Sequence, residues 1–247
     1  MKELNKKTIL NNLNENDIDI HIFSSIDSTN SQCKRQELSK KYLLVISEHQ
    51  SDGRGRTGKS WSSPKLGNIY MSLAFENAHN NAPLSLIVGS ITAEVIKNIT
   101  NSDYIGLKWP NDILLRNKKI GGILVENEIR NNNIKTIVGI GINLSLEEKE
   151  DWWGDLSEFK DKIDRNYLIN QISAMIIGFI ELNKLNWKDI WNKNCVHMNK
   201  KIKIASNNKV MHEGIFIGIE DDGSMNLKVD NNIKNFKFGE ISIQGVY

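Results

Sequence analysis

Two apolar-rich runs, Lys119 to Ile129 and Ile134 to Asn143, are joined by the turn-forming triplet Asn131-Asn132-Asn133. A run of this kind that stops at a polar turn and then returns is the pattern of paired strands. The chain is therefore committed to a sheet, and other segments extend it. Tyr42 to Ser47 is a compact apolar run and is expected to be a buried strand. His21 to Ile26, Ile69 to Phe75, Ile105 to Trp109 and Ile113 to Arg116 are shorter candidates. Helices are expected between them. Leu4 to Leu13 forms a short arm, and Ser28-Thr29-Asn30 caps a helix running to about Lys40. Pro83 to Ile99 carries one stripe of Leu84, Ile87, Val88, Ile91, Val95 and Ile99. Asn166 to Asn183 and Trp187 to Met198 complete the set. Strands and helices thus mix, giving an α+β class.

The pattern changes after Met198. Turns recur at Ser206-Asn207-Asn208, Asp221-Asp222-Gly223 and Asp230-Asn231-Asn232, with short β-rich runs between them. This predicts a small β-barrel and two domains, residues 1–198 and 199–247.

Charge and composition exclude several classes. The 247 residues carry a formal net charge of +2, with basic clusters no longer than Lys6-Lys7 and Lys118-Lys119. A general nucleic-acid binder is expected to carry a stronger basic excess. Pro83 to Ile99 is too short and too charged to span a membrane. Met1 to Asn16 lacks the apolar core of a signal peptide. Cys33 and Cys195 form no CxxC pair, so free thiols in a reduced, cytoplasmic setting are expected. The histidines His21, His49, His79, His197 and His212 have no metal-ligand spacing, and no bound metal site is assigned.

The long polar segment His49 to Asn68 holds the chemistry. Gly53, Gly58, Lys59 and Ser60 satisfy the phosphate-loop pattern GxxxxGK[ST], which would make the protein a P-loop nucleotidase. Such a loop must open a helix, and here Trp61-Ser62-Ser63-Pro64 and Gly67 follow. The loop is loaded in another way. Its glycines let backbone N–H groups approach a ligand, and Arg54 and Arg56 are two forks for carboxylate or phosphate oxygens. Downstream stand Lys108-Trp109-Pro110-Asn111-Asp112, a lysine ahead of Gly121-Gly122 in an apolar run, and Gly141-Ile142-Asn143. A glycine pair inside a strand often marks the close approach of a ligand.

These motifs, in order with Asp27-Ser28-Thr29-Asn30 and Gln50, closely resemble those of the biotin–protein ligases. Gly239-Glu240-Ile241-Ser242 fits that family's C-terminal domain, and the match covers about residues 20 to 247. The resemblance implies a catalytic domain like that of class II aminoacyl-tRNA synthetases and a C-terminal SH3-like barrel. It also implies two half-reactions, in which biotin and Mg-ATP give biotinyl-5′-AMP and a carrier-domain lysine then takes the biotin. By the family pattern, Ser28, Thr29, Asn30 and Gln50 surround the biotin head. Gly53, Arg54, Gly55 and Arg56 order over biotin and steady the phosphate. Lys119 sits between the biotin carboxylate and the α-phosphate. Trp61, Lys108, Asn111, Asp112 and Asn143 serve ATP and its Mg²⁺.

Bland alternatives stand beside these. Ser28 and Thr29 also make a helix cap, Asp112 also suits an ion pair with Lys108, Asn143 suits a turn, and Trp109 suits the core. A lipoate or octanoate ligase shares the fold, but its substrate has no ureido head for Ser28, Thr29 and Gln50. Family members that repress transcription carry an N-terminal winged helix. Only about 20 residues precede Asp27 here, so no operator binding is expected. Relatives include monomers and homodimers.

Overall fold

A computed structural model describes residues 2–65, 67–76, 82–130, 133–147, 150–206, 209–237 and 241–244. The turns expected at Asn131-Asn132 and Asn207-Asn208, together with His79, Gly239 and Glu240, lie outside them.

The elements in order are α1 (Lys6–Ile9), β1 (Ile18–Phe23), α2 (Thr29–Arg35), β2 (Tyr42–Ser47), β3 (Ile69–Glu76) and α3 (Leu84–Thr100). Then come β4 (Ile105–Lys108), β5 (Asp112–Leu115), β6 (Lys118–Arg130), β7 (Asn133–Ile142), α4 (Arg165–Leu182) and α5 (Trp187–Asn194). The last five strands are β8 (Lys201–Ser206), β9 (Lys209–Ile219), β10 (Met225–Val229), β11 (Asn232–Phe236) and β12 (Ile241–Gln244).

A seven-stranded sheet has the order β1-β2-β3-β7-β6-β5-β4. Only its β1–β2 pair is parallel, and the expected β6–β7 pairing runs antiparallel through its centre. One face carries α2 over Leu43, Val45, Ala74 and Ile137. Alternate residues point the other way into the main core, where α3 and α4 pack. The expected stripe of α3 is buried except for Ile99, which is half-buried, and Gly89, Ser90, Thr92 and Ala93 are buried as well. This helix packs against the sheet and against α4 and α5, so its burial extends well beyond one apolar face.

Two expected helices end early, each for a tertiary reason. The helix expected to reach Lys40 stops at Arg35. The Nζ of Lys135 donates to the carbonyls of Lys34 (3.1 Å) and Gln36 (3.0 Å), and so takes up its C-terminal end. The helix expected to reach Met198 stops at Asn194, because Val196 N–H donates to Leu107 C=O (3.0 Å) on β4.

After Met198 comes a second, antiparallel sheet of order β11-β10-β9-β8-β12. It rests on the first unit through Trp191, His197 and Phe216. The indole N–H of Trp109 also donates to Gly223 C=O (3.0 Å). Trp109 is thus core, as its size suggests. Among the described residues no helix is long and apolar enough to cross a membrane.

Candidate functional site

The α2 face of the large sheet is the floor of a cavity of about 1000 Å³. Strand register lays this floor out in rows. Tyr70, Gly141 and Gly122 align across β3, β7 and β6, and Ser72, Gly139 and Leu124 form the next row. Side chains alternate along a strand, so both rows face the same way. The two glycine rows receive different side chains. A Cβ on Gly141 would lie 2.6 Å from the Trp61 ring, and one on Gly122 would lie 3.1 Å from it. A Cβ on Gly139 would collide with the Asn30 amide. What approaches the glycines is therefore the protein's own Trp61 and Asn30. The close approach expected of a ligand is made here by the protein's own side chains.

At the Asn30 end the polar groups form a closed network. Ser28 is the N-cap of α2 and accepts from Ser31 N–H. Gln50 Oε1 accepts from Thr29 N–H (2.8 Å) and Thr29 Oγ1 (3.1 Å), while Gln50 Nε2 donates to Ser63 Oγ (2.8 Å). Ser72 Oγ donates to Asn30 Oδ1 (2.6 Å) and lies 2.7 Å from Thr29 Oγ1. Asn30 Nδ2 donates to Glu126 (2.8 Å), which also pairs with Lys34 (2.6 Å) and Arg54. Apart from the Nε of Arg54, the donors named here are fixed by neighbours, which holds the cluster ready for a polar ligand.

The other end is electropositive. Lys119 Nζ lies 2.7 Å from Asp112 Oδ1 and 5.2 Å from the centroid of Trp61. Asp112 stands opposite Lys108 at the close of the β4–β5 hairpin, so one carboxylate serves two lysines. The ion pair expected for Asp112 on Lys108 thus has a second member, Lys119. Burial pulls the Lys108 ammonium down to about 8; Asp112 opposes the shift, and Lys119 and Lys59 add to it. Arg56 Nη1 donates to Asn111 Oδ1 (3.4 Å), and burial lowers its guanidinium while Asp112 holds it up. Asn111 is itself fixed on β6, donating to Ile123 C=O at 3.0 Å. Asn143 donates to Gly154 C=O (3.1 Å), and Lys119 N–H donates to Trp152 C=O (2.9 Å). These bonds bring Trp152 and Trp153 to the rim.

The segment matching GxxxxGK[ST] opens no helix. A single 3₁₀ turn, Arg56–Gly58, is followed by extended Lys59. Ser60 pairs antiparallel with Arg54, and Gly55 N–H donates to Lys59 C=O (2.6 Å). A phosphate loop depends on the N–H groups at a helix start, and this tight ribbon has none to offer, so the P-loop nucleotidase alternative fails. Its two arginines point to opposite ends, Arg54 to Glu126 and Arg56 to Asn111.

All the residues singled out from sequence except Gly53 line this one cavity. Gly53 lies just beneath, where a Cβ would meet the Trp61 carbonyl and lie 2.6 Å from Ser63 Oγ. Sequence reasoning passed over Ser72, Glu126, Trp152, Trp153 and Ile243, and weighed Lys59 only as part of the phosphate-loop pattern. The available signal for Ser72 was a lone polar residue inside an apolar strand, whereas Glu126 opens the polar run Glu126-Asn127-Glu128 and carried no such signal. Among the described lining residues, Arg54, Arg56, Lys59, Lys108 and Lys119 face a single carboxylate, Asp112. A polar closed end and a cationic end define an enzyme class that brings a small polar-headed acid to a polyphosphate.

Comparison with known proteins narrows this class. Residues 22–143 match the model of the Biotin/lipoate A/B protein ligase family, and residues 197–243 match the Biotin protein ligase C terminal domain. The chain is 32% identical over 255 residues to the Bifunctional ligase/repressor BirA of Escherichia coli, covering 98% of this chain and 78% of that protein. It is 26% identical to the Biotin--[acetyl-CoA-carboxylase] ligase of Paracoccus denitrificans, covering 82% of this chain and 91% of that one. The solved biotin protein ligase from Aquifex aeolicus in complex with biotin and ATP superposes with a TM-score of 0.75 at 26% identity, covering 92% of this chain and 98% of that one. The chain belongs to the biotin/lipoate A/B protein ligase family, and within it to the biotin protein ligases.

Proposed function

We propose that the protein is an ATP-dependent, AMP-forming biotin–protein ligase of the kind that serves acetyl-CoA carboxylase. In the first step a biotin carboxylate oxygen attacks the α-phosphorus of Mg-ATP. The bond from the α-phosphorus to the α,β-bridging oxygen breaks, pyrophosphate leaves, and biotinyl-5′-AMP forms. In the second step the neutral ε-amine of a lysine on a biotin carboxyl carrier domain attacks the acyl carbon. AMP leaves, the amide forms, and the ammonium proton is lost.

The observation that carries this reading is one cavity with a hydrogen-bonded polar end and a cationic end joined along a single sheet face. The polar end, Ser28, Thr29, Asn30 and Gln50, suits a ureido group, which needs both donors and acceptors when buried. Two anions must meet in the first step. Lys119 and Arg56 lie where that charge develops and oppose the repulsion from fixed positions. Asp112 keeps the Lys119 ammonium aimed into the cavity at 2.7 Å. Trp61, seated on Gly122 and Gly141, offers a flat wall for adenine. Lys108, Asn111 and Asn143 complete the nucleotide end. Mg²⁺ arrives with ATP. It is held chiefly by phosphates and water with one or two carboxylates, and a lone Asp112 fits that need.

The same reading divides the chain into a catalytic domain, residues 1–198, resembling class II aminoacyl-tRNA synthetases, and an SH3-like module, residues 199–247. It assigns the enzyme to the cytoplasm, acting as a monomer or homodimer. ATP–pyrophosphate exchange tests it. Exchange that depends on biotin and is not supported by lipoate or octanoate is expected; exchange with lipoate instead would assign the protein to the other branch of the family.

A further inference from the structure

Glu126 has no part in either half-reaction, yet it ties the glycine-rich loop to the polar end of the cavity. Gly122, Leu124 and Glu126 alternate onto one face of β6, so Glu126 stands roughly 13 Å beyond Gly122 at about 3.3 Å per residue. Its carboxylate is largely shielded from solvent, with a side-chain exposure of 21%. Asn30 and Lys34, one turn apart on α2, reach it at 2.8 and 2.6 Å. Arg54 Nη2 reaches the same oxygen as Asn30. The Nε of Arg54 is buried and finds no acceptor among the described residues, and its guanidinium is attached to Glu126 through Nη2.

We infer that Glu126 is a positioning residue that clamps Arg54 beside Asn30 and so seats the glycine-rich loop over the biotin-head end of the cavity. The inference rests on the ligase reading. It assigns the loop's two arginines different work. Arg54 anchors, whereas Arg56, resting on Asn111, is the guanidinium at the phosphate end. It also accounts for a carboxylate kept close to a site built for anions. Paired with Arg54 and Lys34 it adds no net negative charge there, and its own affinity for a proton is lowered by hydrogen bonds from Lys34 and Asn30 that outweigh its burial.

The test uses Glu126→Gln, which keeps the shape and an acceptor for Asn30 but removes the charge. Tryptic cleavage after Arg54, Arg56 and Lys59 in the presence of saturating biotin is expected to quicken. The biotin KM for pyrophosphate exchange is expected to rise about 10-fold or more, with the ATP KM and thermal midpoint little changed, because hydrogen bonds to charged groups are worth about 1.5–3 kcal/mol. Arg54→Ala is expected to reproduce the biotin effect, and the double variant to add nothing further. Unchanged cleavage and biotin KM in Glu126→Gln, or additive effects in the double variant, overturn the inference. So does a loss of thermal stability with an even fall in kcat and no split between the two KM values. Absence of biotin-dependent exchange in the unaltered protein would instead remove the ligase reading, and the cleavage rates would still decide the clamp.

Discussion

Gly139→Ala is the most exacting perturbation of the polar end. The new Cβ would coincide with Asn30 Oδ1 and sit 2.9 Å from its Cγ, so one of them must move. Asn30 has nowhere to withdraw. It is 3% exposed and held by Ser72 at 2.6 Å and by Glu126 at 2.8 Å. Expelling it forfeits a neutral hydrogen bond, worth about 1 kcal/mol, and one to a charged group, worth about 2 kcal/mol. The expected destabilisation is thus about 3 kcal/mol, which lowers the thermal midpoint of a chain this size by roughly 6–12 °C. Biotin affinity should fall at least ~100-fold, since the same ~3 kcal/mol is lost from a preorganised ligand site. Calorimetric unfolding and titration of biotin and ATP read these effects separately. Gly141→Ala, one row away, should instead displace Trp61 and weaken ATP more than biotin. Adding Asn30→Ala to Gly139→Ala removes the clash but forfeits the same two hydrogen bonds, so the double variant should be no more than about 3 kcal/mol less stable than the unaltered protein and biotin binding should not return. A Gly139→Ala protein within 1 kcal/mol of the unaltered one, with normal biotin affinity, would refute the reasoning by showing that Asn30 is not confined.

Three other outcomes are expected. Lys119→Ala should slow adenylation by about 2–4 kcal/mol in the barrier, as removal of one fixed charge-stabilising group does; full exchange activity would remove Lys119 from the site. Because burial brings Lys108 down to about 8, its charge is present below that pH and lost above it. The ATP KM of the exchange reaction should therefore rise as pH passes 8, and Lys108→Arg, which stays charged, should flatten the profile. Residues 51–61, whose tip at Thr57 to Ser60 is exposed, should gain hydrogen-exchange protection with biotinyl-5′-AMP, and unchanged protection would speak against a closing lid.

Much of this was legible in the sequence because it is local. The Ser28 cap depends on residues 28 to 31, and the failure of the P-loop pattern depends on the Trp61–Pro64 segment that follows it. Strands β2, β3, β6 and β7 follow from runs that carry their own hydrophobic pattern, and the observed ends of all four lie within one residue of expectation. Helix ends were less legible. Arg35 ends α2 because Lys135, a hundred residues on, takes its carbonyls.

What the sequence determined by itself was the inventory. It supplied a glycine-rich loop with two arginines, a lysine ahead of a glycine pair, and a polar quartet after the first strand. What only the tertiary structure decided was their pairing. Register across β3, β7 and β6 puts Trp61 on Gly122 and Gly141, and Asn30 on Gly139. It sends Arg54 and Arg56 to opposite ends and gives Asp112 to Lys119. A one-residue slip would turn each of these positions to the other face of the sheet, and nothing local to the residues encodes which strands lie side by side.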